Sequence, residues 1–255
     1  MDTQQAIDDL GWYFATLSFV MGAIVGSFLN VCIYRVPAKR SIARPGSHCY
    51  QCGTHVRWFD NVPVLSYLIL LGRCRQCGTR FSSRYMWVEL LTAVLFLSLF
   101  LKFGATWALP FHCVVVALLV FGTFTDIDHY IIPDSVTLGG LGFSIVAAAL
   151  LGFHAIVGPE YLLARDIYGQ FELYTNPATS LPPHWVPLAW AVASAGFGWF
   201  LLAGVGALGK LLFRKEAMGG GDVKLFAFLG AYLGAVNCVW ILFLSAMVGS
   251  VLGFV

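Results

Sequence analysis

Of the 255 residues, 59% are hydrophobic and only 11% charged, whereas an ordinary soluble domain carries about 25% charged residues. That balance excludes a water-soluble globular enzyme. The net charge of +2 excludes little by itself, but its distribution is informative, because nine of the fifteen Lys and Arg residues lie between Arg35 and Arg84.

In chain order, the charge-free runs are residues 11–34, 90–101 with their flanks, 103–125, 135–159, 173–209 and 225–255. A helix needs about 20 apolar residues to cross about 30 Å of hydrocarbon, so six or seven spans are expected. The last run holds either one long span or two short ones broken near Gly230 and Gly234. Asp8 and Asp9 precede the first run, where a cleaved signal peptide would carry basic residues. The N-terminus is therefore expected to be kept. The sequence closes inside an apolar run at Gly253-Phe254-Val255, so the natural protein is expected to continue. The reading is an all-α polytopic membrane protein of six to eight transmembrane helices, with a small cytoplasmic domain between helices 1 and 2. Its divisions are residues 1–34, 35–86 and 87–255.

The basic loop after the first run belongs in the cytoplasm by the positive-inside rule. Alternating the spans then puts the N-terminus and 158–185 outside, and 126–134 and 210–222 inside. Lys210, Arg214 and Lys215 agree with the last placement, and Glu160, Asp166 and Glu172 lie on the opposite side with only Arg165 beside them.

Within the basic loop, Cys49-Tyr50-Gln51-Cys52 and Cys74-Arg75-Gln76-Cys77 form two CxxC pairs, each followed by a glycine, Gly53 and Gly78. Paired knuckles of this kind read as a structural four-cysteine zinc ribbon, since four thiolates fill a tetrahedral shell. The other reading, disulfides, is disfavoured in the cytoplasm. The loop's arginines do not argue for nucleic acid, because the positive-inside bias accounts for them. Cys32, Cys113 and Cys238 stand alone in apolar surroundings and read as small buried hydrophobes.

Two acids stand where a chain in hydrocarbon should have none. Asp126 closes the run 103–125, and Asp222 follows Gly219-Gly220-Gly221 and precedes Val223-Lys224. A carboxylate at a helix centre in a membrane costs roughly 2.5–3.5 kcal/mol on insertion scales, so such residues generally do chemistry or move ions. The topology brings both motifs to one membrane face. Converging carboxylates share a proton and activate water, which is aspartyl-protease chemistry. Asp128 and Asp134 compete with Asp126. Residues two apart on a helix point about 200° apart, so only one of Asp126 and Asp128 can face Asp222. Asp134 also reads as a helix N-terminal residue, and Lys224 as the partner of an acid or a lipid headgroup. The three glycines suit close approach of an extended substrate.

These motifs, in this order, resemble those of the type IV prepilin peptidases, bifunctional leader peptidases and N-methyltransferases. The likeness runs through Gly26-Ser27-Phe28-Leu29-Asn30-Val31, Tyr34-Arg35-Val36-Pro37, His48 to Gly53, Arg57 to Tyr67, Gly72 to Gly78, Arg84-Tyr85, Val88 to Thr92, Asp126-Ile127-Asp128, Ile132-Pro133-Asp134 and Gly219 to Lys224. Met86 departs from an expected proline, and the external segment 158–184 is longer than usual. The resemblance implies Asp126 and Asp222 as the catalytic pair and a bacterial inner-membrane location. It implies prepilins or pseudopilins as substrates, and S-adenosylmethionine as donor for methylation of the new N-terminus. It also implies that replacing Cys49 or Cys74 impairs methylation more than cleavage. Gly72 and Arg73, with Asp60 and Asn61, are candidates for donor binding, although Gly72 reads equally well as a turn residue. Two other classes stay open at this point. One is a transporter with Asp126, Asp128 and Asp222 on a cation path and a regulatory ribbon, and the other is a ribbon-based scaffold. The oligomeric state is not legible.

Overall fold

The computed structural model describes residues 3–151, 185–214 and 218–253. Among them every regular element is a helix: α1 Thr3–Arg35, α2 Leu65–Ile69, α3 Arg84–Phe103, α4 Leu109–His129, α5 Asp134–Leu151, α6 Trp185–Phe213, α7 Gly220–Leu233 and α8 Ala235–Gly253. A single 3₁₀ turn, Trp58–Asn61, precedes α2. Four stretches are long and apolar enough to cross a membrane by length and composition: Gly11–Arg35, Arg84–Phe103, Leu109–His129 and Pro187–Leu212. Two shorter apolar helices, Asp134–Leu150 and Ala235–Val251, accompany them. The segment 158–184, expected to be external, and Lys215 lie outside the described residues.

The chain divides into two compact units, residues 1–133 and 134–255. In the first, α1 packs on α3 and α4. Gly22 and Gly26, one helical turn apart, set that seam. A Cβ at Gly22 would lie 2.7 Å from Ala93 Cα, and one at Gly26 2.7 Å from Glu89 Cα. Small residues at this spacing let helix backbones meet, which matters where lipid removes the hydrophobic drive for association. Thr92 and Thr125, both fully buried, return their hydroxyls to the Val88 and Phe121 carbonyls at 2.7 and 2.8 Å. Polar atoms are thus satisfied inside their own helices. α3 stops at Gly104 (φ 65°), whose N–H returns to the Phe100 carbonyl, and α4 stops at Tyr130 (φ 53°), shortly before Pro133.

In the second unit α7 is the core helix. Its residues Phe226 to Tyr232 are all buried, and α5 and α6 pack on it. Gly198 and Gly230 permit the α6–α7 approach: a Cβ on either would collide with a backbone carbonyl, Phe226 O or Ser194 O. Of the two arrangements left open for residues 225–255, the broken one is found. Gly234, at φ 88°, separates α7 from α8.

Candidate active site and metal centre

The two CxxC pairs form matching knuckles. Cys49 N–H donates to the Thr54 carbonyl and Gly53 N–H to the Cys49 carbonyl; Cys74 to Thr79 and Gly78 to Cys74 repeat the pattern, all at 2.8–2.9 Å. Gly53 and Gly78 take φ of 68° and 73°, a left-handed conformation that glycine adopts without strain. Each knuckle is closed by one antiparallel bridge, His48 with His55 and Arg73 with Arg80.

All four Sγ atoms lie within 4.8 Å of one another, with Cys49–Cys77 at 3.7 Å and Cys52–Cys74 at 4.0 Å. A tetrahedral zinc at about 2.3 Å from each thiolate needs sulfur–sulfur edges of about 3.8 Å. The donor set therefore fits a structural zinc and leaves no open position for water. Polar neighbours favour the thiolates. The Thr79 hydroxyl, 3.2 Å from Cys77 Sγ, donates to its anionic form and lowers that thiol to about 6. The Thr54 hydroxyl does the same in direction for Cys52.

Between this ribbon and the adjoining ends of α1 and α3 lies a cleft of about 750 Å³. The donor-site candidates Asp60, Asn61, Gly72 and Arg73 all line it. Asp60 is gripped by both Nε and Nη2 of Arg75, with contacts of 2.6–3.1 Å, and the Arg75 hydrogen bond holds its carboxyl below the usual range. Gly72 has φ 65°, and the Tyr67 ring lies 2.6 Å from where its Cβ would stand, so the turn and the packing each require glycine there.

The acids of the first aspartate motif have different surroundings. Asp126 and Asp128 both lie in the last turn of α4. Asp128 is paired with Arg84, which also donates from Nη2 to the Phe124 carbonyl at 3.0 Å and lies over the Phe124 ring at 5.1 Å. Asp126 is exposed and has no ion pair or side-chain hydrogen bond among the described residues. In the second unit, Asp134 opens α5 and pairs with Lys224 at 2.7 Å. Lys224 thus takes the acid partner expected of it. Asp222 is half-buried in the first turn of α7, after the N-cap Gly219, and has no cation partner among the described residues. An acid in a first turn is favoured by the helix dipole. Sequence reasoning missed Arg84 as the partner of Asp128, and it passed over Glu89, an acid that interrupts the apolar stretch Val88-Glu89-Leu90 and whose carboxylate accepts the Val64 N–H at 2.7 Å. That interruption was the available signal.

Helical spans and a thiolate ribbon inserted between two of them describe a polytopic membrane protein with a loop built to hold a metal, and two of its boundary acids have no cation partner among the described residues. Residues 20–103 match the Bacterial Peptidase A24 N-terminal domain and residues 113–254 match the Type IV leader peptidase family. The chain belongs to the type IV leader peptidase family. It is 38% identical over 243 residues to a prepilin leader peptidase/N-methyltransferase of Myxococcus xanthus, covering 95% of this chain and 63% of that protein. Proteins of the same name from Neisseria gonorrhoeae and Pseudomonas putida are each 33% identical. Those matches cover 94% of this chain in both cases, with 81% of the first protein and 80% of the second. No solved structure matches significantly. The transporter reading gains nothing from these relatives.

Proposed function

We propose that this chain cleaves the leader of type IV prepilins and pseudopilins at the cytoplasmic face of the bacterial inner membrane, using Asp126 and Asp222. It then N-methylates the residue so exposed. The observation that carries the choice of residues is the pairing of the competitors: Asp128 is neutralised by Arg84 and Asp134 by Lys224, while Asp126 and Asp222 have no cation partner among the described residues. The cytoplasmic placement is supported by the crowding of basic residues between Arg35 and Arg84.

In this mechanism the ionised member of the pair removes a proton from water, and the protonated member donates a hydrogen bond to the scissile carbonyl. Gly219, extended at φ −74° and ψ 145°, leads into α7, and the glycines beside it leave room for an extended substrate backbone.

For the second activity, the donor S-adenosylmethionine supplies a methyl group on a sulfonium. Gly72 and Arg73 are its proposed contacts, because both line the cleft and the Arg73 guanidinium suits the donor's carboxylate.

The test is cleavage of a purified prepilin in detergent. Asp126→Asn and Asp222→Asn should each abolish it in a folded protein, while Asp128→Asn and Asp134→Asn should retain it. Normal leader removal by Asp126→Asn or Asp222→Asn overturns the assignment.

A further inference from the structure

Two acids line the cleft, Asp60 and Glu89. Asp60 is neutralised by Arg75, but Glu89 has no cation partner among the described residues. Its carboxylate is instead oriented by a neutral donor, the Val64 N–H at 2.7 Å. The backbone around it is fixed on both sides. Gly26 brings α1 against the Glu89 Cα, and Val64 is held at φ 61°, ψ −52°, a conformation that a β-branched residue adopts only when its surroundings impose it. Arginines also line this cleft, but none of the described residues forms an ion pair with Glu89, and a fixed anion beside hydrocarbon with no such pair marks a place for a cation from outside the chain. The neighbouring groups suit the same ligand. Asn30 donates through Nδ2 to the Tyr85 carbonyl at 2.9 Å, and its amide oxygen has no partner among the described residues. Tyr34, Tyr67 and Tyr85 line the cleft and offer faces that attract cations.

We propose that Glu89 is the subsite for the newly exposed pilin α-amine, receiving it as an ammonium and taking one proton from it before methyl transfer. The inference rests on the methyl-transfer half of the proposed function. The ammonium gives a proton to the Glu89 carboxylate, which frees the nitrogen lone pair. The nitrogen then attacks the methyl carbon of a sulfonium donor. A nitrogen–carbon bond forms as the carbon–sulfur bond breaks, the electron pair returns to sulfur, and a neutral thioether leaves. The product is a methylammonium, and Glu89 passes its proton to water in the open cleft.

The test uses the full chain in detergent, labelled S-adenosylmethionine and a leader-free pilin peptide with a free N-terminus. Cleavage is measured separately on intact prepilin. Glu89→Gln keeps an oxygen for the Val64 N–H and removes only the charge. Its methyl transfer should fall by roughly 100-fold or more, the scale of a lost proton acceptor, with the KM for the donor and the cleavage rate unchanged. Methyl transfer by Glu89→Gln at the unaltered rate overturns the proposal, and so does loss of cleavage alongside methylation, which marks a purely structural role. Failure of the unaltered chain to methylate any leader-free peptide would instead bring down the methyltransferase reading itself.

Discussion

Arg84 decides which acid of the first motif is left free. It lies 44 residues before Asp128 in the sequence, so no local pattern announces the pair. What the sequence made legible was that four acids stand at apolar boundaries and that Asp126 and Asp128 point different ways from one helix. Which of them meets a cation depends on α3 and α4 packing together, and periodicity within either helix does not encode that. The pair is partly exposed, with side-chain accessibilities of 36% and 28%, so its direct contribution is modest, about 0.5–1 kcal/mol for an ion pair of this kind. A double-mutant cycle of Arg84→Met and Asp128→Asn, followed by unfolding in detergent, should return a coupling energy of that size. The same cycle read by cleavage rate should show Arg84→Met slower than the unaltered chain, and the double variant faster than Arg84→Met, because removing Asp128's charge removes the uncompensated neighbour of Asp126. A double variant no faster than Arg84→Met would show that Arg84 acts through something other than Asp128.

At the scale of elements, the helices were legible because long charge-free runs have few other solutions in lipid, where every backbone group must be satisfied within its own segment. The ribbon was legible because CxxC spacing followed by glycine constrains both ligand and turn. Two features were harder. The break between α7 and α8 rests on the positive φ of Gly234, and Gly230, the other candidate, serves instead as a contact with α6. The α1–α3 seam was written in the sequence as Gly22 and Gly26, one turn apart, but glycines are common in membrane helices, and only the partner surface shows which ones are used. Gly26→Leu would drive a branched side chain into the Glu89 backbone, so α1 must separate from α3. The expected cost is about 1–3 kcal/mol, as for overpacking in a well-packed core, measured as a lowered unfolding midpoint in detergent. Gly11→Leu, with nothing within 4 Å of its Cβ, should leave the midpoint unchanged.

Across the whole molecule, the zinc ribbon and the aspartate motifs depend on different packing. The ribbon holds no buried apolar cluster of its own: of the residues in its 3₁₀ turn and in α2, none is buried. Its shape therefore relies on the four thiolates, and metal binding there is folding free energy. Cys49, Cys74, Gly72 and Arg73 all line the cleft, so removing the metal should dismantle the walls that the methyl donor and the amine need. Asp126 is carried by α4 within a helical packing of α1, α3 and α4, and Asp222 by the buried helix α7. Neither packing includes a cysteine knuckle. Chelation of the purified protein should thus abolish methyl transfer while leader cleavage continues, with both activities read from one prepilin by mass. Acid should release the metal in a defined direction. The Thr79 hydroxyl holds the Cys77 thiol below its ordinary value, and protons compete with zinc for the four thiolates. Zinc content measured by atomic absorption should therefore fall as the pH is lowered, and Thr79→Val, which removes the donated hydrogen bond, should move the release to higher pH. Loss of cleavage in step with zinc would mean that the ribbon also organises the peptidase, and the independence argued here would fail.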